Sequence, residues 1–184
     1  MSALSSDFAG NSVIIYDTNG NHLISTTVRV HDRDANQIRV NIMPEGLNVN
    51  DDCKLLVLTS PVPCEFRGKI KKVGGIPFIA MFLGHEKESR AAARYSIGTP
   101  ALITAHIIDG QNHPIQNPIR VELINISTSG IRFRAPYYSF DNGDEFQMHM
   151  VISNNKKMIT AKVVNHVDKG SDSSDYGCRF IEIV

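Results

Sequence analysis

Apolar and polar residues alternate along the first half of the chain in short runs that end at turn residues. In the run C-E-F-R-G-K-I-K-K-V (64–73), apolar side chains interleave with arginine and lysine, which is the two-residue period of a half-buried strand. An Asn-Gly pair separates the first two runs and is typical of a β-hairpin. Six runs predict a small closed or nearly closed β-barrel, and they lie at 12–16, 22–30, 37–42, 54–58, 64–73 and 76–83.

The same pattern returns in the second half, after a charged and alanine-rich segment. Its six runs predict a second small barrel, and they lie at 101–109, 119–127, 131–135, 145–152, 158–167 and 176–184. The sequence therefore predicts an all-β fold with an N-terminal barrel (1–84), a short flexible linker (85–95) and a second barrel (96–184). Residues 1 to about 10 are small and polar, and we expect them to be frayed.

The charge balance argues against general nucleic-acid binding. Lysine plus arginine and aspartate plus glutamate number 19 each, whereas phosphate binding over a long surface requires a basic excess. An OB-like binder of single strands remains an alternative, and it would need exposed aromatic side chains on a basic face. Phe133, Tyr137 and Tyr138 are the candidates for those side chains.

The cysteines and the chain start bear on the compartment. Cys53, Cys64 and Cys178 form no C-x-x-C pair and sit in apolar or β-type runs, so we expect buried free thiols. The first residues lack the charged and apolar regions of a signal peptide. No run approaches the roughly 18 apolar residues of a membrane span. These features predict a cytoplasmic protein with no membrane span.

Two arginines in the segment K-E-S-R-A-A-A-R-Y (87–95) are the first candidate site. Arg90 and Arg94 lie four residues apart with only alanines between them. A guanidinium group binds phosphate through two parallel hydrogen bonds, matches guanine O6 and N7, and stacks on base faces. Two such groups on a flexible segment could enclose a ligand with phosphates and purines. The alternative is that both are solvated linker residues.

The segment N-I-S-T-S-G (125–130) is the second candidate site. Strand periodicity predicts that the Asn125 amide and the Ser127 hydroxyl share a face, where they could meet phosphate, a guanine edge or the backbone of the turn. Gly130 would permit a positive φ or let a ligand approach the backbone closely. The alternative is a β-turn closed by side-chain-to-backbone hydrogen bonds.

Taken together and in this order, the two segments resemble the PilZ domain family of bacterial cyclic di-GMP receptors. Its R-x-x-x-R motif matches Arg90 and Arg94, and its [D/N]-x-S-x-x-G motif matches Asn125, Ser127 and Gly130. The closing segment Y-G-C-R-F-I-E-I is similar to the last strand of the family's barrel. The likeness covers about 86–184.

The resemblance implies roles for these residues. Arg90 and Arg94 would hold phosphate and guanine groups of cyclic di-GMP, and Asn125, Ser127 and Gly130 would shape the opposite wall. Ser89 stands where the family often has another arginine or a bulky group, which leaves open whether one or two ligands bind. The first barrel is similar in β-content, order and size to the accessory domain of the two-domain flagellar-brake (YcgR-like) group.

We find no sequence pattern for an enzyme. The seven histidines show no metal-binding spacing, and G-x-S-x-G, P-loop and dinucleotide fingerprints are absent, so no cofactor is expected. The resemblance instead implies a receptor whose interdomain arrangement changes when cyclic di-GMP binds. Its output would be motility or exopolysaccharide production, with the flagellar motor or exopolysaccharide machinery as partner. The alternative is a PilZ-like protein-interaction module that binds no nucleotide.

Overall fold

The computed structural model describes residues 7–83, 94–136, 139–170 and 172–184, and the regular elements in these ranges are all β-strands. They form two closed six-stranded barrels, which confirms the predicted all-β, two-barrel fold. The chain divides into two compact units, the first of residues 1–59 and 63–95 and the second of residues 60–62 and 96–184. Of the predicted linker, only Arg94 and Tyr95 lie in the described ranges, so its boundaries stay a prediction.

The first barrel is an antiparallel sheet closed in the order β1-β2-β3-β6-β5-β4. Its strands are β1 (Ser12–Tyr16), β2 (His22–Asp32), β3 (Gln37–Val40), β4 (Asp52–Val57), β5 (Cys64–Val73) and β6 (Ile76–Leu83). Alternate residues point inward, and the core includes Val13, Ile15, Leu55, Val57 and Phe66.

The start of the chain is ordered further towards the N-terminus than its composition suggested. Phe8 is fully buried in the first core, and its ring stacks on His31 with ring centroids 4.6 Å apart. Its backbone N–H donates to His31 Nδ1 at 3.1 Å. The expectation that residues 1 to about 10 are frayed is therefore wrong at Phe8, because one aromatic side chain ties the segment to the core.

The second barrel closes in the order β10-β11-β12-β9-β8-β7. Its strands are β7 (Tyr95–Ile108), β8 (Gln111–Ile126), β9 (Gly130–Pro136), β10 (Glu145–Ile152), β11 (Asn155–Asp168) and β12 (Ser173–Ile183). β7 and β8 begin earlier than predicted, since both run on through glycine and prolines that interrupt the alternation. An aromatic cluster of Phe133, Phe140, Phe146 and Tyr176 fills the core, with the Phe133 and Tyr176 centroids 5.3 Å apart.

Burial bears on two of the expectations drawn from the sequence, the exposed aromatic side chains and the buried thiols. Phe133 is fully buried, so it cannot stack on a nucleic-acid base, and Tyr137 and Tyr138 lie outside the described residues. Cys53 and Cys178 are buried free thiols, and burial raises the pKa of each to about 12. Cys64 is only half-buried, which corrects its predicted burial.

None of the described residues belongs to a helix with the length and apolar character that crossing a bilayer demands.

Gly68 offers a test of packing in the first barrel. A Cβ at this position would lie 2.5 Å from Ile79 Cγ2 and 2.9 Å from Cys53 Sγ, both inside the core. We expect Gly68→Ala to lower the free energy of unfolding by about 1–3 kcal/mol, because the core must move to admit a methyl group. Chemical denaturation measures the change, and Lys72→Ala on the exposed end of β5 is the control. Equal stability of the two variants would contradict this packing.

Candidate functional site

The Ser127 side chain closes the turn between β8 and β9. Its hydroxyl accepts hydrogen bonds from the backbone N–H groups of Ser129 and Gly130, both at 3.2 Å, and lies 3.3 Å from the Gly130 carbonyl, to which it can donate. The Ser127 backbone N–H also donates to that carbonyl at 2.9 Å. Ser127 is 6% exposed, so the hydroxyl serves the turn itself, as one of the two sequence interpretations allowed.

Position 130 must be glycine because strand β12 passes close to it. Its φ is not positive, so backbone freedom is not the reason for glycine here. A Cβ would instead collide with the backbone carbonyl oxygen of Cys178 in β12. The adjacent Ser129 carbonyl accepts a hydrogen bond from Phe180 N–H at 3.1 Å, which ties the turn to the same strand. Only a residue without a side chain lets β9 and β12 approach this closely.

A β-bulge turns Asn125 to the outside of the barrel. Leu123 pairs with Phe133, but Asn125 pairs with Arg132, so Ile124 is an extra residue in β8. Without the bulge, Asn125 would face Ile131, whose side chain is buried in the core. Asn125 is half-exposed, whereas Ser127 is buried and lies beyond the end of β8. The shared face that the strand period predicted for the two side chains stays a prediction.

Asn125 begins a row of outward-facing residues across four neighbouring strands. We call it the polar row, and it consists of Asn125 in β8, Arg132 in β9, Gly177 in β12 and Asn165 in β11, each paired with the next. The Asn165 amide occupies the space that a Cβ on Gly177 would need. Cross-strand neighbours on one face lie about 5 Å apart at Cβ. The row therefore places an amide and a guanidinium group side by side.

Asp175 holds the arginines of β9 in place. Its carboxylate is 4% exposed and accepts from Arg134 Nε at 2.8 Å and from Arg132 Nη2 at 3.2 Å, and Lys169 Nζ lies 3.9 Å away. The bond to Asp175 raises the pKa of Arg134. A buried carboxylate with several cationic partners fixes their geometry, since leaving it unpaired would be costly. Sequence reasoning missed these residues, because 168–175 resembled an ordinary Gly/Ser/Asp loop.

Arg94 directly precedes an anchored residue of the first unit. Arg94 is exposed, whereas Tyr95 is 2% exposed and stacks on Tyr16 with ring centroids 4.4 Å apart. The Tyr95 hydroxyl donates to the Glu65 carboxylate. Arg90 and Ser89 lie outside the described residues. The structure thus gives one arginine of the first motif a fixed neighbour, and it places Asn125, Ser127 and Gly130 together in the second unit.

Comparison with known families identifies the second half of the chain. The family model described as PilZ domain matches residues 88–184, just over half of the sequence. The chain belongs to the PilZ domain family. The match includes the positions of Arg90, Arg94, Asn125, Ser127 and Gly130. No curated protein matches this PilZ chain.

Several solved structures are distantly similar to it. The Bacillus subtilis inhibitor of motility, MotI/DgrA, is 15% identical, with a TM-score of 0.42, and the match covers 96% of this chain and 90% of that one. Escherichia coli YcgR in complex with c-di-GMP is 12% identical, with a TM-score of 0.37 and coverage of 94% and 76%. The K. pneumonia MrkH–c-di-GMP complex is 12% identical, with a TM-score of 0.37 and coverage of 93% and 78%.

Ser127 can be tested for its role in the turn. We expect Ser127→Ala to lower the free energy of unfolding by about 1–2 kcal/mol, because the backbone N–H groups of Ser129 and Gly130 lose their acceptor in this part-buried turn. Urea denaturation without ligand measures this loss, with the neighbouring Thr128→Ala as the control that leaves the Ser127 hydroxyl in place. If Ser127→Ala is as stable as the control, the hydroxyl does not hold the turn.

Proposed function

We propose that this PilZ protein is a receptor for cyclic di-GMP. The observation that carries the proposal is the family match together with both complete motifs, Arg90 with Arg94 and Asn125 with Ser127 and Gly130. The described geometry supports it, because Asn125 is turned outward beside Arg132. Arg90, with Ser89 beside it, would supply the remaining ligand contacts of the first motif. One or two ligand molecules would bind. The role is binding alone, with no catalytic step.

The physical mechanism is a shift of population between conformations. The ligand carries two phosphates and two guanines, which suit guanidinium and amide donors. Its binding would select the interdomain arrangement in which Arg90 and Arg94 close on it. The contacts must exceed the conformational and translational entropy that the protein and the ligand lose on binding. The selected arrangement would present a changed surface to a partner. We propose that the protein acts in the bacterial cytoplasm and that its partner is the flagellar motor or the exopolysaccharide machinery.

A second function deserves a direct test because of one observation in the turn. The Ser127 hydroxyl and Gly130 are both accounted for by the turn and by the approach of β12, with no ligand required. A PilZ-like interaction module that binds no nucleotide would also retain them. Isothermal titration with cyclic di-GMP, with cyclic di-AMP and GTP as controls, separates the two functions. Selective heat supports the receptor, and its absence together with an unchanged melting temperature supports the interaction module.

Arg94 provides the sharpest test of the receptor. We expect Arg94→Ala to weaken cyclic di-GMP binding by about 2 kcal/mol or more, because a charge-assisted contact to the ligand is lost. Titration calorimetry measures the affinity. Arg29→Ala removes the same charge from an exposed position on β2 of the first barrel and serves as the matched control. If Arg94→Ala and Arg29→Ala bind cyclic di-GMP with equal affinity, Arg94 does not contact the ligand.

Tyr95 tests whether the anchor next to Arg94 supports binding. Tyr95→Phe keeps the ring on Tyr16 but loses the bond to Glu65, so we expect cyclic di-GMP affinity to fall by about 0.5–1.5 kcal/mol as Arg94 becomes less restricted. Tyr176→Phe is the matched control, since its hydroxyl accepts from Ser139 N–H at 3.2 Å in the second unit. If both variants bind as the unaltered chain does, the anchor contributes nothing to affinity.

A further inference from the structure

Arg132 and Arg134 make a natural comparison within one strand. Both point outward from β9, both contact Asp175, and their side chains are 33% and 44% exposed. They differ in their neighbours across the sheet. Arg132 is paired with Asn125, a residue of the second motif, whereas Arg134 is paired with Glu122. The negative charge of Glu122 also raises the pKa of Arg134, so this arginine has two acidic neighbours.

The pairing with Asn125 is built into the sheet. The bulge at Ile124 brings Asn125 opposite Arg132, and the close approach of β9 and β12 at Gly130 keeps Arg132 opposite Gly177. An amide and a guanidinium group held side by side present several N–H donors and one carbonyl acceptor in a small area. Such a pair can recognise the edge of a planar heterocycle.

Asp175 determines which part of a nucleotide Arg132 suits. The carboxylate offsets part of the positive charge of Arg132, which weakens this arginine as a point charge for phosphate. It also accepts a hydrogen bond from Arg132 Nη2 at 3.2 Å, which limits the directions in which the remaining donors can point. A partly neutralised and oriented fork favours a directional pair of neutral acceptors, and guanine O6 and N7 form such a pair.

We propose that Arg132, positioned by Asp175, is a further ligand-binding residue that recognises a guanine edge beside Asn125. The assignment rests on the proposed binding of cyclic di-GMP and adds a residue outside both family motifs. It also makes Arg132 a determinant of specificity, since adenine presents an amino donor where guanine has the O6 acceptor. Arg134, two residues away and opposite Glu122, has no part in this contact.

The test compares four variants with the unaltered chain by titration calorimetry. The probes are cyclic di-GMP and the corresponding cyclic dinucleotide in which one guanine is replaced by adenine. We expect Arg132→Ala and Arg132→Lys each to weaken cyclic di-GMP binding about tenfold or more, because a lysine lacks the planar fork. The preference for cyclic di-GMP over the mixed dinucleotide should fall in both variants. Arg134→Ala removes the same charge and should change affinity less than about threefold.

Asp175→Asn tests the positioning. It keeps the shape of the side chain but removes the negative charge that holds Arg132. We therefore expect a loss of cyclic di-GMP affinity smaller than that of Arg132→Ala, with a reduced preference for cyclic di-GMP over the mixed dinucleotide. Thermal melting checks that each variant is folded, and Arg132→Ala leaves Asp175 paired with Arg134 at 2.8 Å and with Lys169. The affinity of Asp175→Asn is compared with that of Arg132→Lys, because the lysine variant keeps a positive charge near the Asp175 carboxylate.

Three results would overturn the assignment while leaving the receptor intact. They are unchanged affinity in Arg132→Ala, equal losses in Arg132→Ala and Arg134→Ala, and full affinity in Arg132→Lys. The second would indicate general electrostatic attraction, and the third would indicate a phosphate contact. If the unaltered chain binds no cyclic di-GMP, the proposed function fails and the role of Arg132 fails with it.

Discussion

The contact between Gly130 and the Cys178 carbonyl is the constraint on which the second barrel's outer face depends. Because no side chain intervenes, β9 and β12 lie close enough to pair from Gly130 to Pro136 without interruption. The turn is also held from within by Ser127 and from β12 by Phe180 N–H. A larger residue at position 130 would displace all these contacts together. The glycine of the motif thus has a structural role that any ligand-binding role would add to.

The bulge and the buried carboxylate convert that rigid pairing into a chemically defined surface. One extra residue in β8 is enough to move Asn125 from the core side to the outer side, since successive residues of a strand face opposite ways. Asp175 is almost fully buried although it lies on the outer face, because arginine and lysine side chains cover it. The bulge and the carboxylate both act on the polar row, since the bulge places Asn125 in it and Asp175 contacts Arg132.

The sequence predicts the strands well because one face of every barrel strand is buried, which imposes a period of two. It fails where that period is irrelevant or interrupted. Phe8 lies outside any strand, so no pattern marks its burial. The bulge at Ile124 shows in the sequence only as two adjacent apolar residues, Leu123 and Ile124, which do not by themselves specify a bulge. The partners of Asp175 depend on strand register rather than on sequence spacing. The motif residues themselves were identified from order and spacing, whereas Arg132 could be recognised only after the strands were paired.

Tyr95 has a consequence for Arg94 that follows from covalent geometry. A residue bonded directly to a buried and hydrogen-bonded neighbour can explore only a small volume, because one pair of backbone dihedrals separates it from a fixed point. The Arg94 side chain is therefore confined near Tyr95. Its effective concentration there is high, as it is for one of two binding modules joined by a short linker. In the proposed receptor, a contact from such a restricted side chain would shorten the search for the remaining contacts to the ligand.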